Sequence, residues 1–464
     1  MMEKQRKILN TLDKARLGER VSMTDWDRKI VPRTLKEIAK KYDLLKTCDP
    51  ANPINTDDEL ADRFFQAGWE AALRLGFYCP DTESIIKIDE DELKIEFAKA
   101  PGQVTFGQGI EACTVTARKP EDTLAPKFCA PLSIQMDEEL YIPLVEGIVS
   151  SKLIDMQEGP SLDTVMGSPL LADSPYETFA GIYEYHMRKE AQWRAGRVGM
   201  PNSLVSSAST HFGLLAAFNL YQQPQLCLCL NPASLKINYT TLHKAIVCYE
   251  LGGIVRSESP TMVGGFTGGP ETTAIASIAT DILQYPMCGA GLPGSPSYDI
   301  RYSGNCGREG LWAQSMATQA ISRNSSILQH KTINQVSGPM TEMFFLESIV
   351  GMLGATASGQ DYTISPRSAG GSVKNGLTPI ECWFNAAVFK GSAGITRAAA
   401  NDIVKDIIPK YEKDLYDPPK GQTFPELYDI KTITPCKEYK DLYLNMRGVA
   451  ESYGIKMPGD GILS

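Results

Sequence analysis

Glu258 follows directly on the run Gly252-Gly-Ile-Val-Arg-Ser257, a short stretch that reads as a strand. In parallel α/β folds the reacting groups sit at the carboxyl ends of strands, so a carboxylate at that position faces the site if the run belongs to a barrel. A solvated surface carboxylate is the competing reading. Arg301, Tyr302, Asn305 and Arg308 crowd the end of another strand-like run, Tyr298–Tyr302. Side chains alternate along a strand, so Arg301 and Tyr302 point to opposite faces and at most one looks inward. An ion-paired arginine and a packed tyrosine are the plain alternative.

Two glycine-rich segments invite a nucleotide or anion. Gly289-Ala-Gly-Leu-Pro-Gly294 has the GxGxxG spacing, but Pro293 and Pro296 lead into a strand-like run where the dinucleotide motif needs a helix, so it reads as a turn. Gly264-Gly-Phe-Thr-Gly-Gly269 precedes a helix start at Pro270 and has no phosphate-binding lysine. It reads either as a cap and turn, with Thr267 or Glu271 on the helix N–H groups, or as a loop lining a substrate. Among eleven cysteines only Cys227 and Cys229 are close, and alternation puts both on one face of Leu226–Leu230 as buried thiols. The four histidines, His186, His211, His243 and His330, add no metal-ligand spacing, so no metal site is expected.

Short strand-like runs alternate with longer helical ones from about residue 140 onward, the pattern of a parallel sheet covered by helices. The predicted strands are Ser203–Ser207, Leu226–Leu230, Gly253–Ser257, Tyr298–Tyr302 and Thr332–Ser337; the predicted helices between them are Glu271–Gln284, Gly307–Ser322 and Met340–Ala355. Residues 1–75 read as helical, with Leu35, Ile38, Ala39 and Tyr42 on one face. The expected architecture is a (β/α)8 TIM barrel over 76–464, including C-terminal helices, with the helical extension 1–75 packed on it. A doubly wound open sheet is the alternative.

Of the 464 residues, 43% are hydrophobic and 22% charged, as in ordinary globular proteins. A net charge of −9 argues against broad binding to nucleic acid and suits a neutral or cationic small substrate. The first twenty residues carry charges throughout, where a signal peptide needs an apolar core, and no apolar run reaches the roughly 18–20 residues of a membrane span. Scattered cysteines in a chain of this length fit a reducing compartment, so a cytoplasmic location is expected.

Several segments taken together are similar to the monomethylamine methyltransferase family. They include Gly18-Glu-Arg-Val-Ser-Met-Thr-Asp-Trp-Asp27, Tyr78-Cys-Pro-Asp-Thr82, Ala195-Gly-Arg-Val-Gly-Met200, the Gly264–Gly269 loop with Glu271-Thr-Thr273, Gly338-Pro-Met-Thr-Glu-Met343 and Gly421-Gln-Thr-Phe424. They occur in the family's order over nearly the whole chain. The resemblance implies a (β/α)8 barrel, a homo-oligomer of the hexamer type, and transfer of a methyl group to the Co(I) centre of a separate small corrinoid protein docked over the barrel mouth. The corrinoid is thus the partner's, with no cofactor bound by the chain itself.

The family carries pyrrolysine a few residues after the block matched by Ala195–Met200. Here the chain continues Pro201-Asn-Ser-Leu-Val-Ser-Ser-Ala208, with Ser203 at that position in an ungapped alignment. The family's active-site glutamate matches Glu258. Its glutamine before the block at Gly338 falls on Thr332 ungapped, or on Gln335 or Asn334 after a shift. Methyl transfer from nitrogen needs a cationic nitrogen as leaving group. Pyrrolysine's imine orients a small amine in the family, and Ser203 has no such electrophile. A quaternary ammonium is cationic at every pH, so the expected substrate is a quaternary or otherwise N-methylated amine. Glu258 would balance its charge, Asn202 and Ser203 would line the vacated pocket, and Phe266, Tyr302 and Trp383 are candidates for cation–π contacts of roughly 0.5–2 kcal/mol each. The rival functions are acid–base chemistry by Glu258 on another substrate, and a non-catalytic relative that binds a small cation or a protein.

Overall fold

Short apolar runs separated by amphipathic helices can pair only in parallel, because each helix carries the chain back to the starting edge of the sheet. The computed structural model, which describes residues 2–132, 134–204, 207, 210–220 and 225–463, follows this rule. After a short antiparallel pair of Phe77–Cys79 with Ser84–Ile86 comes a hairpin of β1 (Gln103–Phe106) and β2 (Cys113–Thr116). The alternating part then supplies β3 (Lys127–Ala130), β4 (Met156–Gln157), β5 (Ser203–Leu204), β6 (Leu226–Leu230), β7 (Ile254–Glu258), β8 (Leu292–Gly294) and β9 (Tyr362–Ile364). The order β5-β6-β7-β8 forms one parallel sheet and β9-β3-β4 another. Single parallel bridges, Gln157 with Asn202 and His330 with Tyr362, lie between the two sheets, and His330 N–H donates to Pro293 O at 3.1 Å. The chain is therefore mixed α/β, with two small sheets joined at both edges by isolated contacts.

The helices lie between these strands in sequence. Among those that precede them are α1 (Met2–Leu17), α2 (Val31–Lys41) and α3 (Asp58–Leu75), with the shorter helix Glu90–Ala98 after α3. Asp57 caps α3 by accepting from Leu60 N–H. After β3 come α4 (Glu138–Ser150), α5 (Pro175–Arg194), α6 (Phe212–Phe218), α7 (Tyr239–Glu250), α8 (Pro270–Cys288), α9 (Arg308–Asn324), α10 (Glu342–Ala357) and α11 (Pro379–Gly391). The N-terminal helices share one apolar core with α8 and α9, into which Cys227, Cys229 and Cys248 also point. A separate apolar group of Phe106, Cys113, Val115, Cys129, Met156, Leu226, Leu292, Leu328, Tyr362 and Ile364 fills the space between the strands, with the β1–β2 hairpin at its foot.

Four predicted strands end differently. Gly253–Ser257 is shifted by one residue to Ile254–Glu258, which takes Glu258 into the strand itself. Tyr298–Tyr302 does not join the main ladder. Ser297–Asp299 pairs instead with Thr261–Val263, and the ladder position is taken by Leu292–Gly294, inside the segment read as a turn. Gly289 ends α8 with φ of 71°, a conformation that favours glycine. Thr332–Ser337 is not a strand: Thr332 C=O and Asn334 N–H are bound by the Asn305 amide, and Ser365 Oγ donates to Ile333 O, so side chains replace ladder bonds. The predicted Ser203–Ser207 is seen as Ser203–Leu204, and residues 205 and 206 lie outside the described ones.

Candidate active site

Alternation along β7 decides what the site contains. Val255 packs into the helix-side core and Ser257 accepts from Asn231, so Arg256 and Glu258 face the interior. The segment 328–334 behaves likewise. His330, Thr332 and Asn334 look inward, while Lys331 pairs with Asp281 of α8 and Gln335 reaches Asn385 of α11 at 2.9 Å.

Glu258, 6% exposed, accepts a hydrogen bond from His330 Nε2–H at 3.3 Å. A carboxylate only accepts, so Nε2 carries the proton. Burial pushes the Glu258 carboxyl up, but the His330 hydrogen bond and the fields of Arg256 and Arg367 outweigh it and hold the group below the usual carboxylate range. Burial also depresses His330, which leaves a carboxylate beside a neutral imidazole at neutral pH. Gly294 faces this pair, and a Cβ there would collide with the His330 carbonyl and ring.

A second carboxyl lies across the interior. Glu158, just beyond β4, pairs with Arg256 Nη1 at 2.8 Å, and neither side chain is exposed. Burial raises Glu158 to about 7, against the pull of Arg256, with Glu258 adding to the rise and the Ser203 hydroxyl and Arg188 opposing it. Arg256 Nε and Nη2 are buried without hydrogen-bond partners, and Glu158 Oε1 and Ser203 Oγ are buried with no well-aligned partner, although the hydroxyl lies close enough to the carboxyl to lower its pKa. Such orphans cost about 1–3 kcal/mol each, so their concentration on one wall marks a place built for a polar occupant.

The aromatic side chain beside Glu258 is Tyr298. Its hydroxyl bonds Thr332 Oγ1, and Asn334, whose Oδ1 is unpartnered, lies within reach. Burial and the Glu258 charge raise its pKa. The exposed Arg367, after β9, brings its charge to both Glu258 and Tyr298.

Of the residues singled out by sequence, Glu258, Ser203 and Asn334 lie on the inward face. Asn202 does not: alternation turns it toward the helices, where Gln192 donates to it at 3.1 Å and its own amide donates to Met200 O and Gln225. Gln335 is directed outward for the same reason. Trp383 lies in the helical core with its indole N–H on Ile148 O at 3.1 Å, Tyr302 packs edge-on against Tyr416, and Phe266 sits under Lys236 on the N-terminal side. The Gly264–Gly269 loop closes on itself through Gly264 N–H to Gly268 O, while Glu271 accepts from Cys48 N–H. Arg301 pairs with Asp299 and Glu309, and Arg308 with Glu412, as plain structural ion pairs. Sequence reasoning missed Glu158, Arg256, His330 and Tyr298. The strand-end rule that found Glu258 applies equally to Glu158, had Met156–Gln157 been recognised as a strand. No group of three or more His, Cys, Asp or Glu among the described residues is gathered to hold a metal ion.

The chain matches the family model described as "Monomethylamine methyltransferase MtmB" over residues 6–455. It belongs to that family. Monomethylamine methyltransferase MtmB3 of Methanosarcina barkeri strain Fusaro and MtmB1 of Methanosarcina acetivorans are each 30% identical over 454 residues, covering 96% of this chain and 97% of theirs. The crystal structure of the Methanosarcina barkeri monomethylamine methyltransferase MtmB superposes with a TM-score of 0.91 at 28% identity, covering 96% of this chain and 97% of that one. A crystal structure of a hydroxylamine complex of MtmB matches equally well. This member of the MtmB family is a methyltransferase, and none of its described helices is long and apolar enough to cross a membrane.

Proposed function

We propose that this MtmB-family methyltransferase moves a methyl group from a methylated, permanently cationic amine to the Co(I) of a separate corrinoid protein, without pyrrolysine. The observation that carries the reading is the inward Glu258 carboxylate, held ionised by His330, with the Ser203 hydroxyl on the same inward face next to Glu158. A fixed carboxylate attracts a cation and orients it, and Tyr298 adds an aromatic wall. No electrophile is present at Ser203, so the nitrogen must already be a competent leaving group. That condition favours a quaternary ammonium.

The eight inward-facing segments, β3 to β9 with 328–334, are read here as a (β/α)8 barrel whose carboxyl-end mouth receives the partner. Support comes from the order β9-β3-β4 and β5-β6-β7-β8 and from the bridges at both junctions. Leu230, at the end of β6 and paired with Glu258 in the ladder, is 47% exposed and offers the partner an apolar edge. The corrinoid belongs to that partner and supplies the methyl acceptor; this chain binds and orients the amine. Residues 1–75 form an extension on the barrel, and assembly into a homo-oligomer is part of the same reading.

Purified protein mixed with reduced cob(I)alamin and a panel of N-methyl compounds tests the reading, because methylcobalamin formation is followed by absorbance. Turnover with a quaternary ammonium is expected. Turnover confined to monomethylamine would contradict it.

A further inference from the structure

We propose that Glu158 is the proton source for the departing amine, delivering its proton through the Ser203 hydroxyl. The inference rests on the methyl-transfer reading above and adds a second working carboxyl to the site.

Glu158 is divided between two tasks by its geometry. One oxygen is held by Arg256 Nη1 at 2.8 Å, whereas Oε1 has no well-aligned partner and Ser203 lies beside the carboxyl. Ser203 Oγ has no other partner and faces inward from β5. The groups facing Glu158 are Arg256 and Glu258 from β7, Arg188 from α5, Tyr141 from α4, Tyr362 from β9 and Cys129 from β3. Two inward-facing carboxyls with opposite environments divide the labour. Glu258 beside His330 stays charged, and Glu158, raised to about 7, carries an exchangeable proton.

The step balances without a further reactant. The carbon–nitrogen bond breaks with its electron pair left on nitrogen, while an electron pair of Co(I) forms the bond to the methyl carbon, so cobalt is formally oxidised by two electrons. A quaternary substrate becomes a neutral tertiary amine. That amine takes the Ser203 hydroxyl proton as Ser203 takes the Glu158 proton. Glu158 is left as a carboxylate against Arg256, and the amine leaves as an ammonium ion whose lone pair can no longer recapture the methyl group.

Infrared pH titration of the whole protein against Glu158→Gln reads the proton directly. The expected result is a protonated-carboxyl band that titrates near neutrality and disappears in the variant; identical titrations would overturn the proposal. In the methyl-transfer assay the wild type is expected to lose kcat above neutrality, and Glu158→Gln to be about 10²-fold slower with that alkaline limb gone. An unchanged limb would overturn it. Should Glu158→Gln fail to fold, Ser203→Ala leaves the Glu158–Arg256 pair intact: the band should persist while the alkaline limb disappears, and a persisting limb counts against the relay. Loss of the limb with the band missing from the wild type sinks only the role of Glu158. A band without turnover of any methylated amine sinks the methyl-transfer reading and this role with it.

Discussion

His330 Nε2–H donates to Glu258 Oε2 at 3.3 Å, joining the last residue of β7 to a segment that neighbours it through β8. This hydrogen bond works against burial to keep Glu258 ionised. His330→Ala removes it and leaves the burial, so the Glu258 pKa should climb. A carboxylate held low by its folded surroundings acts above its pKa and is lost as pH falls through it. The acid limb of kcat/KM should therefore move upward toward neutrality in His330→Ala, with the limb staying in place if the pair is irrelevant. Glu258→Gln should lower kcat/KM by about 10²-fold or more, as expected for removal of a buried charge partner.

Tyr298, rather than Tyr302 or Trp383, should govern the affinity for a cation. Loss of one cation–π contact worth roughly 0.5–2 kcal/mol predicts a KM about 2–30 times higher in Tyr298→Leu. Trp383→Phe strands the Ile148 carbonyl, at a cost of about 1–3 kcal/mol, and should lower the melting temperature with KM unchanged. Steady-state kinetics and thermal melts on the two variants separate these effects.

Arg367, whose charge reaches Glu258, opposes a cation beside that carboxylate. Replacing it with methionine should lower KM for a quaternary ammonium by roughly two- to fivefold, the modest size expected of an exposed charge. The benefit should shrink as salt is added. A higher KM would instead assign Arg367 to an anionic portion of the substrate.

The alternation of strands and helices, the buried Cys227 and Cys229 face, and Glu258 were legible because each depends on local pattern. Leu226–Leu230 was recovered with its limits intact. What escaped depends on contacts distant in sequence. β8 is a three-residue strand containing proline and glycine, and its glycine is required only because His330 passes it. His330 and Arg256 gain meaning only when the strands are side by side. Position in sequence alone points to Trp383 as an aromatic wall, whereas packing places it between helices with its indole N–H on Ile148 O. The block at Gly338 and the one at Gly421 proved to be structural partners: Gly338 N–H bonds Pro419 O and Gln422 N–H bonds Pro339 O.

Glu347 accepts from Val336 N–H and Ser337 N–H and from the Ser337 hydroxyl, and burial lifts it to about 7. A carboxyl raised above its unfolded value contributes stability that is complete below the unfolded pKa and is lost as pH rises through the folded one. The melting temperature should therefore fall between pH about 4.5 and 7 for this reason. Glu347→Gln should flatten that slope. Parallel slopes in scans at constant ionic strength would exclude Glu347 as its source.

Methyl transfer to cob(I)alamin, compared for a quaternary ammonium and for monomethylamine on the same preparation, tests most directly whether a permanently charged nitrogen replaces an imine. The expected result is methylcobalamin from the quaternary compound, abolished or nearly so in Glu258→Gln. Faster transfer from monomethylamine, or transfer indifferent to Glu258, would contradict it.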